Sequence, residues 1–100
     1  MKYNKLVRDA IPEYIRKKGG TPVYHVASED EYWEKLKEKL SEEAEEFKKD
    51  PNMEEFADLL EVIDAIAAYK RFERGEVEKV KEKKAAERGK FEKRIILDES

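Results

Sequence analysis

Residues 28–72 read SEDEYWEKLKEKLSEEAEEFKKDPNMEEFADLLEVIDAIAAYKRF, and the periodicity of this stretch decides the fold. Ser28 followed three residues later by Glu31 is a capping-box pattern, with Val26 and Tyr32 placed to form a hydrophobic staple beside it. A helix is expected to begin there and to run to about Lys49. Trp33, Leu36, Leu40 and Phe47 supply its apolar seam at spacings of 3, 4 and 7. Asp50-Pro51-Asn52 turns the chain, and a second helix follows from about Met53 to at least Phe72. So short a turn implies an antiparallel helical hairpin. The second helix carries two apolar stripes, Phe56-Leu60-Ile63-Ala67 and Leu59-Val62-Ile66-Tyr69, and so is apolar on most sides and should be largely buried. A lone hairpin cannot cover it, which predicts a homodimer or higher homo-oligomer with a helical-bundle interface.

Working outward, Leu6, Val7, Ile11, Tyr14 and Ile15 predict a short amphipathic N-terminal helix, with Asp9 and Pro12 near its start and Gly19-Gly20 as its stop. Thr21 to Val26 is rich in β-branched and aromatic residues and reads as a short strand, placed at an edge or at a strand start by Pro22. On the other side, Gly75 interrupts the helical pattern. Residues 76–88 are charged helix formers that either extend the helix as a solvated arm or form a separate short one, ended by Gly89. Phe91 to Leu97 reads as a second strand that would pair with residues 22–26. The expected fold class is all-α: a helical hairpin core assembling into an oligomeric bundle, with a short N-terminal helix and a small two-stranded β element. At 100 residues it makes one domain, residues 1–100.

Charged residues make up 47% of the chain and the mean hydropathy is −0.98, so its core must come from a few concentrated apolar segments. With no cysteine, a disulfide framework, a thiolate nucleophile and sulfur-ligated metal are excluded. No apolar run resembles a signal peptide or approaches a membrane span, and the expected address is the cytoplasm. Glutamine is absent while Lys and Glu abound, a balance found in thermostable proteins. The net charge of −3 conceals an acidic middle: residues 27–64 carry fifteen acids against five Lys/Arg, between basic ends. Such a chain can hold cations and a polyanion bridged to them, whereas a nucleic-acid binder should show a dominant basic face. Neither nucleic acid nor a membrane is expected as partner.

The chemistry lies in carboxylates on apolar faces. Glu43 falls on the seam position between Leu40 and Phe47, and Glu46 follows one turn along the same face. A buried ionised carboxylate is expensive unless it is paired or coordinates a cation. In the second helix Glu55, Asp58, Glu61 and Asp64 recur every third residue. At 3.6 residues per turn this row winds about 60° per step, so Glu55 and Asp58 share a face while Asp64 points nearly opposite Glu55. In the hairpin, Glu43, Glu46, Glu55 and Asp58 come to similar levels. Two charges about 5 Å apart repel by about 3 kcal/mol at an effective dielectric of 20, so such a cluster needs a raised pKa or a divalent cation. Oxygen-only ligands favour Mg²⁺ or Mn²⁺ over zinc, and di-iron sites use Glu-x-x-His motifs, whereas the only histidine, His25, lies outside both long helices. The plainer reading of each acid is also open. Glu55 can complete a capping box with Asn52, Glu42 and Glu46 can pair with Lys39 and Lys49, and Glu61 and Asp64 can be solvated.

Leu40-Ser41-Glu42-Glu43-Ala44-Glu45-Glu46-Phe47, followed by Glu55-Phe56-Ala57-Asp58, resembles the E-E-x-x-E and E-x-x-D signature of the all-α nucleoside-triphosphate pyrophosphatases, the superfamily of the MazG proteins, dimeric dUTPases and phosphoribosyl-ATP pyrophosphohydrolase. Tyr3-Asn4-Lys5-Leu6-Val7-Arg8-Asp9 with Ile11-Pro12-Glu13, and Arg88-Gly89 with Phe91-Glu92-Lys93, resemble the ends of the phosphoribosyl-ATP-pyrophosphohydrolase-like branch. Ala10 departs from that branch, which often has Lys there, and Lys90 stands where a second Gly is common. The resemblance implies Glu43, Glu46, Glu55 and Asp58 as metal ligands. Glu42 is implied as a further ligand or the residue orienting a water, so that Glu42, Glu43 and Glu46 form the catalytic group. The implied reaction is Mg²⁺-dependent hydrolysis of a nucleotide between its α and β phosphates, giving a monophosphate and pyrophosphate. Lys5, Arg8, Lys93 and Arg94, from the basic ends, are the candidates to clamp the polyphosphate. Phosphoribosyl-ATP is the alternative substrate. A non-catalytic helical assembly or nucleotide- and cation-sensing module is the rival from another class.

Overall fold

The computed structural model describes residues 4–100; Tyr3, at the head of the N-terminal run quoted above, lies outside the described residues. Four helices follow one another: α1 (Ile11–Lys17), α2 (Glu29–Lys49), α3 (Met53–Lys70) and α4 (Arg74–Arg88). No helix among the described residues is long and apolar enough to cross a membrane.

Local chemistry sets the boundaries. Pro12 occupies the first turn of α1, where a missing N–H costs nothing. The helix closes as the N–H groups of Gly19 and Gly20 donate to the carbonyls of Arg16 and Ile15, with Gly19 at φ +89°. A side chain at Gly20 would collide with Ile15 Cγ2, 2.7 Å from an ideal Cβ. Ser28 Oγ accepts from Glu31 N–H and caps α2, as the capping-box pattern expects. The staple is not made, for Val26 is 91% exposed, and the Glu31 carboxylate meets His25 Nε2 at 2.9 Å rather than the Ser28 N–H. After Asp50 and Pro51, Asn52 Oδ1 accepts from Glu55 N–H at 2.9 Å and opens α3. That helix ends at Lys70, two residues before the expected minimum. Arg71 takes a left-handed conformation (φ 59°), and the N–H groups of Arg71 and Phe72 close on Ala68 and Ala67. Residues beyond the turn form a separate helix, one of the two outcomes the sequence allowed, with the Glu73 carboxylate capping Gly75 and Glu76 N–H and Gly89 (φ +80°) at its end.

The hairpin is present, and α2 against α3 is the one packed pair of elements among the described residues. Leu36 (1% exposed) and Val62 (8%) are its buried apolar residues. Trp33 stacks on Tyr69 at 5.4 Å at the open end, and Phe47 meets Phe56 at 5.6 Å beside the turn. The stripe containing Leu59, Val62, Ile66 and Tyr69 faces α2, whereas Phe56, Leu60 and Ile63 remain nearly half exposed. In one protomer, therefore, α3 is not largely buried.

The expected β element is overturned. The described residues contain no strand, and none of the backbone hydrogen bonds outside the helices involves residues 21–26 or 90–100. Val23 is 96% and Phe91 fully exposed, with Ile95, Ile96 and Leu97 also largely in solvent. The physical reason is context: β-branched composition favours a strand only where a pleated surface awaits it, and a two-stranded ribbon without a face to pack on is marginal in water. Neither α2 nor α3 offers that face to the two segments.

Candidate metal centre

Three of the four expected ligands meet. One carboxylate oxygen from each of Glu43, Glu55 and Asp58 lies within 4.8 Å of the others. Glu43 reaches the cluster from the α2 seam with its side chain only 13% exposed, while Glu55 and Asp58, one turn apart on α3, are half-buried. The Asn52 cap frees Glu55 for this role. Its N–H is already used by Asn52 Oδ1, and Asn52's own N–H donates to Asp50 O at 2.8 Å, so the Glu55 carboxylate is not needed to close a capping box.

Glu46 does not join the group; it is exposed one turn beyond, near enough for its charge to act on Glu55. Partial desolvation, then the charges of Asp58, Glu46, Glu43 and Asp50, push the Glu55 carboxyl above its ordinary value of 4.5. Glu42 is drawn away by two lysines, Lys5 and Lys39, each at 3.4 Å. Glu61 and Asp64 are exposed, as the winding of the acidic row requires, and Asp64 meets Arg74 at 3.5 Å.

Cations already edge the cluster. Arg8 Nη2 donates to Asp58 Oδ1 at 2.8 Å, and Lys39 Nζ lies 3.5 Å from Glu43 Oε1. The sequence offered Lys39 as a partner of Glu42, which it is, but not of Glu43, four residues on along the same helix face, where such pairs also form. Lys5 and Arg8 thus reach the acidic residues, by pairing with carboxylates. Lys93 and Arg94 lie in the exposed segment after α4 and make no ion pair with the cluster within one chain. Beside the carboxylates the N-terminal segment and the hairpin enclose a cleft of about 550 Å³, with Leu6, Ile11, Tyr32 and Leu36 on its apolar side and Glu43 and Asp58 on its acidic side.

The donor set suits a hard ion. Mg²⁺ binds oxygens at about 2.1 Å, so opposite ligands stand about 4.2 Å apart. At most one pair of three octahedral ligands can be opposite, and the others stand about 3.0 Å apart, so oxygens within 4.8 Å of one another would draw inward onto such an ion. Three carboxylates leave positions for waters or phosphate oxygens.

A protein of Mycolicibacterium smegmatis, described as uncharacterized, is 54% identical to this chain over 44 residues, covering 44% of the chain and 45% of the relative. The match thus spans less than half of the relative's length. No family model and no solved structure matches the chain.

Proposed function

We propose that the chain is a Mg²⁺-dependent nucleotide pyrophosphohydrolase, with Mn²⁺ as a competent substitute, cleaving the α–β phosphate bond of a nucleoside triphosphate or related nucleotide in the cytoplasm. The observation that carries the reading is the meeting of Glu43, Glu55 and Asp58 from two helices on an otherwise apolar seam. A Mg²⁺ ion held there would offset the charge on the phosphate oxygens and acidify a water for attack. Glu43, Glu55 and Asp58 would hold the ion. Glu46, one turn along α2 and solvent-facing, would accept the proton of the attacking water. Glu42, released from Lys5 and Lys39, would orient that water. Lys5 and Arg8 then face the polyphosphate from the N-terminal segment, while Lys93 and Arg94 enter the reading only from a second copy in a homo-oligomer. The apolar wall beside Tyr32 gives a base somewhere to lie.

Pyrophosphate release from a panel of nucleotides with Mg²⁺ tests the reading, and the Glu43→Gln variant is expected to lose both turnover and Mg²⁺ affinity. If Glu43→Gln retains both, the site is misassigned. One observation favours a second reading, a helical assembly module: among the described residues only two apolar side chains, Leu36 and Val62, are buried within one protomer, so the chain calls for a partner whatever its chemistry. Mg²⁺ binding without pyrophosphate release from any nucleotide would select it.

A further inference from the structure

We infer that Arg8 is the resident counter-ion of the carboxylate cluster, and that a divalent cation enters by exchanging with it, freeing the guanidinium to take a phosphate-type anion. The inference rests on the proposal that the cluster binds a metal, and adds to it how the site is filled. Arg8 Nη2 sits 2.8 Å from Asp58 Oδ1, fifty residues away in sequence, and Asp58 belongs to the three-carboxylate group. A metal ion drawing on Asp58 would share that carboxylate with a cation already hydrogen-bonded to it, and like charges at such range repel.

Two cations contact the group, and they differ in their freedom to leave. Lys39 stands four residues before Glu43 on α2 and is held to both Glu42 and Glu43 by the helix itself. Arg8 comes from the irregular segment before α1; its carbonyl accepts from Ile11 N–H, but its side chain is 60% exposed and spans to α3 only through Asp58. It can swing away without breaking a helix. Once released, its planar fork of donors matches phosphate oxygens at the mouth of the cleft. Metal entry therefore creates the anion site, and an anion that draws Arg8 off Asp58 favours metal entry by the same coupling.

Mn²⁺ titration by calorimetry at constant ionic strength, on the full chain, on Arg8→Gln and on Arg8→Lys, tests the exchange. Arg8→Gln is expected to bind Mn²⁺ roughly two- to fivefold more tightly, the size of an exposed ion pair removed, with Arg8→Lys close to the wild type. A merely structural role for Arg8 would give weaker binding instead. Methyl phosphate, which chelates Mn²⁺ only weakly, is expected to tighten Mn²⁺ binding more in the wild type than in Arg8→Gln. Equal or weaker Mn²⁺ binding by Arg8→Gln overturns the exchange while the metal site stands, and an equal methyl phosphate effect in both proteins overturns its anion half. No Mn²⁺ binding by any of the three proteins overturns the metal reading, and the exchange with it.

Discussion

Glu55 carries the electrostatic cost of the cluster. Asp58 has Arg8 and Glu43 has Lys39, but the Glu55 carboxylate makes no ion pair among the described residues, and its pKa is raised by desolvation and by its acidic neighbours. The folded chain therefore holds that proton more tightly than the unfolded chain does. The stability this contributes is fully present below the ordinary value of 4.5 and is lost as pH rises through the raised folded value. In EDTA, melting temperature is expected to fall across that window, and Glu55→Gln should remove this part of the slope. Mg²⁺ binds only the ionised form, so its stabilisation should grow with pH over the same window. At 100 times its dissociation constant it is expected to add about 2.7 kcal/mol. Glu55→Gln should lower Mg²⁺ affinity at least about tenfold. Calorimetric melts with and without Mg²⁺ measure all of this, and parallel pH profiles in the two conditions would count against a shared ion.

At the scale of elements, caps explain why α2 and α3 begin where they do. Asn52 and Ser28 supply side-chain acceptors to exposed N–H groups, and both were readable as patterns. Asn52→Ala is expected to cost about 1 kcal/mol in urea unfolding. The end of α3 was not readable, because a left-handed Arg71 has no sequence signature of the kind glycine provides. Relieving that conformation by Arg71→Gly should stabilise the protein by about 1 kcal/mol, seen as a higher urea midpoint at constant m. The fourth helix has no buried residue and does not pack on the hairpin. An isolated helix of 15 residues is marginal in water, so in the free protomer its amides should exchange far faster than those around Leu36 and Val62. Slow exchange in α4 would show that something covers it.

The whole molecule is more extended than its length warrants. Its radius of gyration is 18.0 Å, against about 13 Å for a compact domain of 100 residues. Phe56, Leu60 and Ile63 form an exposed stripe on α3, and Phe91, Ile95, Ile96 and Leu97 lie bare beyond α4. Apolar surface on this scale is what a partner's surface would cover. Light scattering is expected to find at least twice the protomer mass of 11.8 kDa. Ile63→Lys, placing a charge on the stripe, should release the protomer and lower the melting temperature together. A monomer that melts cooperatively at micromolar concentration would remove the need for a second copy.

Periodicity and caps, which act within a few residues, determined the hairpin and the short helix before it from the sequence alone. They also placed Glu43 on a seam and Glu55 beside Asp58 on one face. Tertiary structure alone decided the rest, because it depends on which surfaces meet. Glu46 proved to lie one turn too far round to join the ion-sized gap, and Glu42 was claimed by lysines from two directions. Residues 22–26 and 91–97 kept their β-prone composition yet found no partner strand, since pairing requires two distant segments to arrive side by side and no local pattern can promise that. Arg8 was legible only as a candidate phosphate clamp, not as a partner of Asp58. That it rests on Asp58 follows from where the folded chain lays residues 4–10 against the hairpin.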